Sequence, residues 1–198
     1  MAADIPKRPR TRAGHEFREE DVATAVRSLL WALGDDPDRE GLRDTPRRVA
    51  QFYRELMVHD AGRTDTAFES IETDQMVVVS GMRVWSLCEH HLLPFWCDVT
   101  VGYITDARVL GLSKFARIAH AHAHALQVQE RLVAGIAADV RQACATDNVA
   151  VVARGEHLCM TMRGVRTPAL MLSSSLHGVF RHEPAVRAEF FSLAGVRS

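Results

Sequence analysis

Apolar residues in the first third of the chain recur at helical spacing. Val22, Val26, Leu29 and Leu33 share one face of a helix predicted over 19–33, and its acidic first turn, Glu19-Glu20-Asp21, suits the positive end of the helix dipole. Gly34-Asp35-Asp36-Pro37 ends it. A second helix is predicted to start at Asp44-Thr45-Pro46, a capping side chain ahead of a first-turn proline, with Val49, Phe52, Tyr53 and Leu56 as its buried stripe. The polar stretch 59–66 reads as a linker. Beyond it the period shortens to two. Segments 76–80 and 96–104 are predicted strands, the second alternating Val99, Val101 and Tyr103 against Asp98, Thr100 and Gly102. Ser113 is placed as the cap of a helix reaching about residue 123, and a longer helix covers 126–144. Segments 148–153 and 157–163 are two more strands with Gly155 at or beside their turn, and Pro184 opens a short last helix. No repeat is present. Helices first and a mixed sheet layer afterwards give an α+β class, divided into a tail at 1–14, a helical segment at 15–62 and a sheet domain at 63–198.

Three elements carry polar residues where a plain core would not place them. Alternation along a strand at 157–163 sets His157, Cys159, Thr161 and Arg163 on one face and Leu158, Met160 and Met162 on the other. On the long helix, Leu126, Val133, Ala137, Val140 and Cys144 form the buried stripe, with Gln129 inside that arc and Glu130 at its edge. Burying a carboxylate there is costly without a partner, and an N–H-rich ligand would supply one. At the start of the helix near Ser113, Lys114 and Arg117 share a face beside free backbone N–H groups, an arrangement suited to a docked phosphate. Arg163 offers a second charge-assisted clamp.

The strongest chemical signal is Cys88-Glu89-His90-His91, answered by His157-Leu158-Cys159. Two thiols and up to three imidazoles supply three ligands for a zinc ion and leave histidines over for proton transfer. The chain has no CxxC pair, so the spacings of closed structural zinc sites are missing. An open site follows, in which water takes the fourth position and becomes the reagent. Cys97 and Cys144 read as small buried hydrophobes, and His15, His59, His177 and His182 as surface or satisfied core residues. A helix would bring His120 and His124 together at i, i+4, but no thiol or carboxylate motif accompanies that pair. Metal, carboxylate and phosphate cradle together point to a phosphorylated, nitrogen-rich heterocycle as substrate.

Composition narrows the setting. The chain has 198 residues, 47% hydrophobic and 25% charged, enough to bury the core of one domain with a small helical appendage. Its net charge of -1 gives no basic field for nucleic acid. Four cysteines are too few and scattered for a disulfide framework, which fits a reducing compartment. The start of the chain carries Lys7, Arg8, Arg10 and Arg12 but no apolar run of a signal peptide, and no later stretch reads as a membrane span. A cytoplasmic protein with a disordered basic tail is expected. A nucleobase deaminase would need an H-x-E motif with P-C-x-x-C, and neither occurs. P-loop glycines are likewise missing.

Four motifs in order, Cys88-Glu89-His90-His91-Leu92-Leu93-Pro94-Phe95, Gly111-Leu112-Ser113-Lys114-Phe115-Ala116-Arg117, Gln127-Val128-Gln129-Glu130-Arg131-Leu132 and His157-Leu158-Cys159-Met160 with Met162-Arg163-Gly164-Val165, closely resemble GTP cyclohydrolase I. The resemblance runs from about Glu19 onward. It implies the tunnelling fold (T-fold), in which antiparallel sheets from several subunits close into a barrel and stack as a homodecamer with active sites shared between chains. By matching positions, Cys88, His91 and Cys159 would hold zinc, while His90 and His157 would carry protons. Glu130 would anchor the guanine edge with Gln129 beside it. Ser113, Lys114, Arg117 and Arg163 would hold the triphosphate of GTP, and Arg48 would reach it from another subunit.

The implied reaction is hydrolysis of the purine imidazole ring at C8, with loss of formate and formation of 7,8-dihydroneopterin triphosphate. His157 or His90 would protonate the ring nitrogen. The chain departs from the family pattern at His124-Ala125, Val133, Trp96-Cys97-Asp98 and Ala169-Leu170-Met171-Leu172, none of them a proposed ligand or proton carrier. Besides folate or pterin supply, the same chemistry would serve a paralogue in a deazapurine-type pathway. A zinc-stabilised oligomeric binding protein without turnover is the third reading. It needs none of Glu130, His90, His157 and Arg163.

Overall fold

The structure, a computed structural model, describes residues 14–60, 62–64, 67–69, 75–105 and 108–195, so of the expected tail only Gly14 is described. The chain divides into two compact units, one ending at His59 and the other starting at Asp60. The first is a helical hairpin. Helix α1 (Glu19–Ala32) and helix α2 (Thr45–Met57) are tied by an ion pair of 3.6 Å between Glu19 and Arg54. Asp44 stands at the N-cap of α2, but its carboxylate caps nothing and lies 3.5 Å from the Arg48 guanidinium. The stripe predicted for α1 is only partly covered: Val22 and Val26 are half-buried, whereas Leu29 and Leu33 are 55% and 72% exposed. A two-helix hairpin offers each helix one partner face, too little to cover a full stripe.

The second unit is built on a five-stranded sheet ordered β5-β2-β3-β6-β7, which makes the molecule α+β. Its strands are β2 (Met76–Cys88), β3 (Pro94–Ile104), β5 (Leu126–Gln127), β6 (Val149–His157) and β7 (Leu170–Leu176). All neighbours are antiparallel except β2 and β5. A short ribbon of β1 (Ala67–Glu69) and β4 (Arg108–Leu110) stands apart. Strand β2 is far longer than predicted because a bulge between Val79 and Met82, with Gly81 at φ 74°, carries the pairing past the glycine.

Helices α3 (Leu112–Ala123) and α4 (Gln129–Cys144) cover one face of the sheet. Phe115, Ile118, Leu132, Ile136 and Val140 pack there against Phe95, Val99, Val101, Tyr103 and Val151. The other face carries a smaller cluster of Ala150, Val152, Phe180 and Phe190, built with α6 (Val179–His182) and α7 (Pro184–Leu193). Gly102 makes that packing possible, since a Cβ there would fall 2.6 Å from the Phe190 ring.

Three predicted boundaries move. Gly111 is the N-cap of α3 and Ser113 sits inside its first turn, without a capping bond. Residues 126 and 127 are not helical, because Leu126 and Gln127 pair in parallel with Leu87 and Cys88, and α4 starts two residues later. Leu126 is accordingly 40% exposed, and the buried stripe is Gln129, Leu132, Val133, Ile136, Ala137, Val140 and Cys144. The third change bears on the site. Gly155 is no turn but pairs with Cys97 inside β6, and the expected strand at 157–163 is replaced by one helical turn, α5 (Leu158–Thr161). The Thr161 hydroxyl donates to the His157 carbonyl at 3.1 Å and the Met162 N–H to the Leu158 carbonyl at 3.0 Å, which closes that turn. Strand alternation therefore does not align Cys159 with Arg163.

Candidate active site

Strand register gathers the two cysteine–histidine clusters. Leu87 opposes Pro94 and Phe95 opposes His157, so the end of β2, the start of β3 and the end of β6 meet at one edge of the sheet. Cys88 closes β2. The chain after it turns tightly, with Leu92 at φ 56° and the Cys88 N–H donating to the Leu93 carbonyl at 2.9 Å. Cys159 arrives from the opposite side on α5.

The sulfur atoms of Cys88 and Cys159 and a ring nitrogen of His91 all lie within 4.8 Å of one another. This is the span of ligands around a single ion. Cys88 is buried, Cys159 half-buried and His91 exposed, so the group opens to solvent on the histidine side. Nδ1 of His91 is 3.8 Å from the Cys88 sulfur and Nδ1 of His90 is 3.9 Å from it. Burial first, and then the neighbouring Cys88 sulfur, push the Cys159 thiol above its ordinary pKa, with Arg163 pulling the other way. Two thiolates and an imidazole this close suit a thiophilic divalent cation, whose charge would hold both sulfurs ionised.

Two further histidines flank the trio in the chain, His90 beside His91 and His157 two residues ahead of Cys159. His90 is exposed and stands 3.9 Å from the Glu89 carboxylate. His157 is half-buried and stacks on Phe95, with ring centroids 4.5 Å apart and planes 9° from parallel. Burial lowers its pKa, and the Glu130 carboxylate partly opposes that shift, which sets Glu130 within electrostatic reach of the ring. Arg163 lies with Nη1 3.0 Å from Nε2 of His91, so it faces the metal group despite the lost strand. Gln129 is fully buried, its amide bonded inside the protein and to His157.

Three further phosphate candidates lie on α3. Ser113 and Arg117 are exposed on the first turns of α3, and Lys114 donates from Nζ to the Arg63 carbonyl at 2.9 Å. Arg48 belongs to the first unit, beside Asp44. His120 and His124 have ring centroids 5.9 Å apart, and no thiol or carboxylate completes a metal group with them among the described residues. Sequence reasoning missed one device altogether. Arg131 on α4 pairs with Glu89 and donates from Nε to the Gln127 side chain at 2.7 Å, while the Glu89 N–H donates to the Gln127 carbonyl at 3.1 Å, pinning the metal loop to the helix. Its one signal was the i, i+4 spacing of Gln127 and Arg131.

These features define an α+β domain with a Cys-His-Cys group that could hold a metal ion where the ends of β2 and β6 meet the start of β3. The sequence profile described as GTP cyclohydrolase I matches residues 22–195. The GTP cyclohydrolase 1 of Dehalococcoides mccartyi strain BAV1 is 44% identical over 183 residues, 89% of this chain and 97% of that protein. That of Corynebacterium aurimucosum is 45% identical over 202 aligned positions, 98% of each chain. Among solved structures, the apo crystal structure of an archaeosine synthase QueF-Like covers 52% of this chain and 96% of its own, at 17% identity and a TM-score of 0.43. The chain belongs to the GTP cyclohydrolase I family.

Proposed function

We propose that the protein hydrolyses the imidazole ring of GTP at C8 with zinc held by Cys88, His91 and Cys159, releasing formate and leading to 7,8-dihydroneopterin triphosphate. The observation that carries the reading is the trio within 4.8 Å, with His90 3.9 Å from the Cys88 sulfur and His157 two residues ahead of Cys159, both outside it. Zinc bound there would supply a nucleophile at neutral pH by lowering the pKa of water toward about 7. The remaining work falls to the chain. His157, stacked flat on Phe95 and kept largely neutral by burial, accepts or returns a proton at the purine ring nitrogen. His90, exposed, exchanges protons with solvent. Glu130 at the first turn of α4 anchors the guanine edge, and Ser113, Lys114, Arg117 and Arg163 hold the triphosphate. A purely structural zinc site would require neither an oriented histidine nor an exposed carboxylate.

A homodecamer of tunnelling-fold subunits with shared sites, Arg48 reaching GTP from a neighbouring subunit, completes the proposal. Exposed Leu112, Met162 and Val165, 71%, 57% and 75% accessible in the single chain, support burial against other copies. No helix of the described residues is long and apolar enough to cross a membrane. Chelation tests the metal assignment. Protein stripped of zinc should lose formate release from GTP, and added Zn²⁺ should restore it in step with one bound ion per chain. Undiminished turnover by metal-free protein would overturn the reading.

A further inference from the structure

The side chain of Gln129 contributes nothing to the hydrophobic core it is buried in, and its hydrogen bonds fix its orientation. Nε2 lies 3.0 Å from the Ala153 carbonyl, 3.1 Å from the Met171 carbonyl and 3.0 Å from the Ser173 hydroxyl. Carbonyls only accept, so the amide nitrogen must face them and the amide oxygen must face the other way. That oxygen is 3.0 Å from Nε2 of His157. An amide oxygen only accepts, so Nε2 of His157 must carry a hydrogen.

Space for this contact is made by Gly155, the pairing partner of Cys97 in β6. A Cβ at 155 would stand 2.9 Å from the Gln129 oxygen, 2.6 Å from the Cys97 sulfur and 2.3 Å from the Trp96 carbonyl. The Phe95 ring meanwhile fixes the plane of the imidazole. With one nitrogen bound inside the protein and one face covered, a single polar position of the ring is left for a ligand.

We infer that Gln129 is a positioning residue that locks His157 as its Nε2–H tautomer and makes Nδ1 the atom through which His157 exchanges protons with substrate. This rests on the proposed role of His157 in ring hydrolysis. It gives that role a direction. With Nε2–H held by the Gln129 oxygen, Nδ1 is the bare nitrogen and faces the substrate as an acceptor. Gln129 thereby acts through His157 rather than on the guanine.

Selective ¹⁵N-histidine labelling of the zinc-loaded enzyme tests the inference, with the His157 signals assigned by their loss in His157→Gln. At a pH where the ring is neutral, Nε2 should appear as the protonated nitrogen and Nδ1 as the bare one; the reverse pattern overturns the proposal whatever the activity. Gln129→Met keeps the length of the side chain and removes the acceptor. It should lower kcat about 10²-fold, the low end of general acid–base assistance, with KM for GTP and zinc content within about twofold of wild type. Wild-type kcat in that variant, or loss of zinc along with activity, would contradict a positioning role. If wild-type enzyme released no formate from GTP, the functional reading would fall while the tautomer measurement would still decide this one.

Discussion

Cys97, inside β3, and Cys159, on α5, differ in what surrounds the sulfur. Burial pushes the Cys97 thiol up to about 12 and the Cys144 thiol up to about 11, and among the described residues neither belongs to a group that could hold a metal ion. Cys159 rises as well, but partly because Cys88 is its neighbour. At pH 8 the thiolate fraction of Cys97 is on the order of 10⁻⁴ and that of Cys144 on the order of 10⁻³, so neither should react with iodoacetamide in the folded protein. Peptide mapping should find Cys88 and Cys159 alkylated once zinc is stripped, and Cys97 and Cys144 only after denaturation. Motif context alone separated the two pairs in the sequence, since Cys88 and Cys159 each stand beside histidines. Gln129 was different. The resemblance set it beside Glu130 at the substrate, and its partners inside the protein, Ala153, Met171 and Ser173, lie 24 to 44 residues away, where no local pattern can reveal them.

At the scale of elements, helices with long apolar stripes were readable and strand ends were not. Leu158, Met160 and Met162 alternate as in a strand, yet pairing with β3 stops at His157 because β3 itself begins at Pro94. The segment then closes a helical turn on local bonds, and Cys159 meets Cys88 through that turn rather than through alternation. The parallel pairing of Leu126 and Gln127 with β2 likewise escaped the sequence, because two residues are too short for a period. That pairing, with Arg131 bridging Glu89 and Gln127, ties the metal loop to α4. Arg131→Met should loosen the loop and weaken zinc binding about 10-fold, the scale of losing support around metal ligands, while far-UV circular dichroism stays unchanged. Zinc affinity equal to wild type in a competition titration would show that the clamp does not support the metal loop.

Over the whole molecule, stability should fall in mild acid for a traceable reason. Burial, followed by the nearby Arg141 and Arg181, lowers the pKa of His177, against a smaller opposing pull from Asp147. The unfolded chain therefore takes up the proton first as pH drops, and stability contributed by neutral His177 is full above about pH 7 and lost as pH falls through the lower folded value. His177→Gln should flatten the decline of thermal midpoint between about pH 7 and pH 5, measured at one protein concentration. An unchanged slope would remove His177 from the explanation.

The α+β class was foreshadowed by periodicity; the closeness of the two cysteine–histidine clusters depended on the register Phe95 to His157, which no local pattern in the sequence reveals. The most direct measurement supplies zinc-loaded protein with GTP carrying ¹³C at C8 and follows the label by NMR. Ring hydrolysis by this site predicts that the label leaves as formate, at full rate in wild type and at about 10²-fold lower rate or less in His157→Ala with zinc retained. Label that remains in the purine, with zinc fully bound, would contradict it.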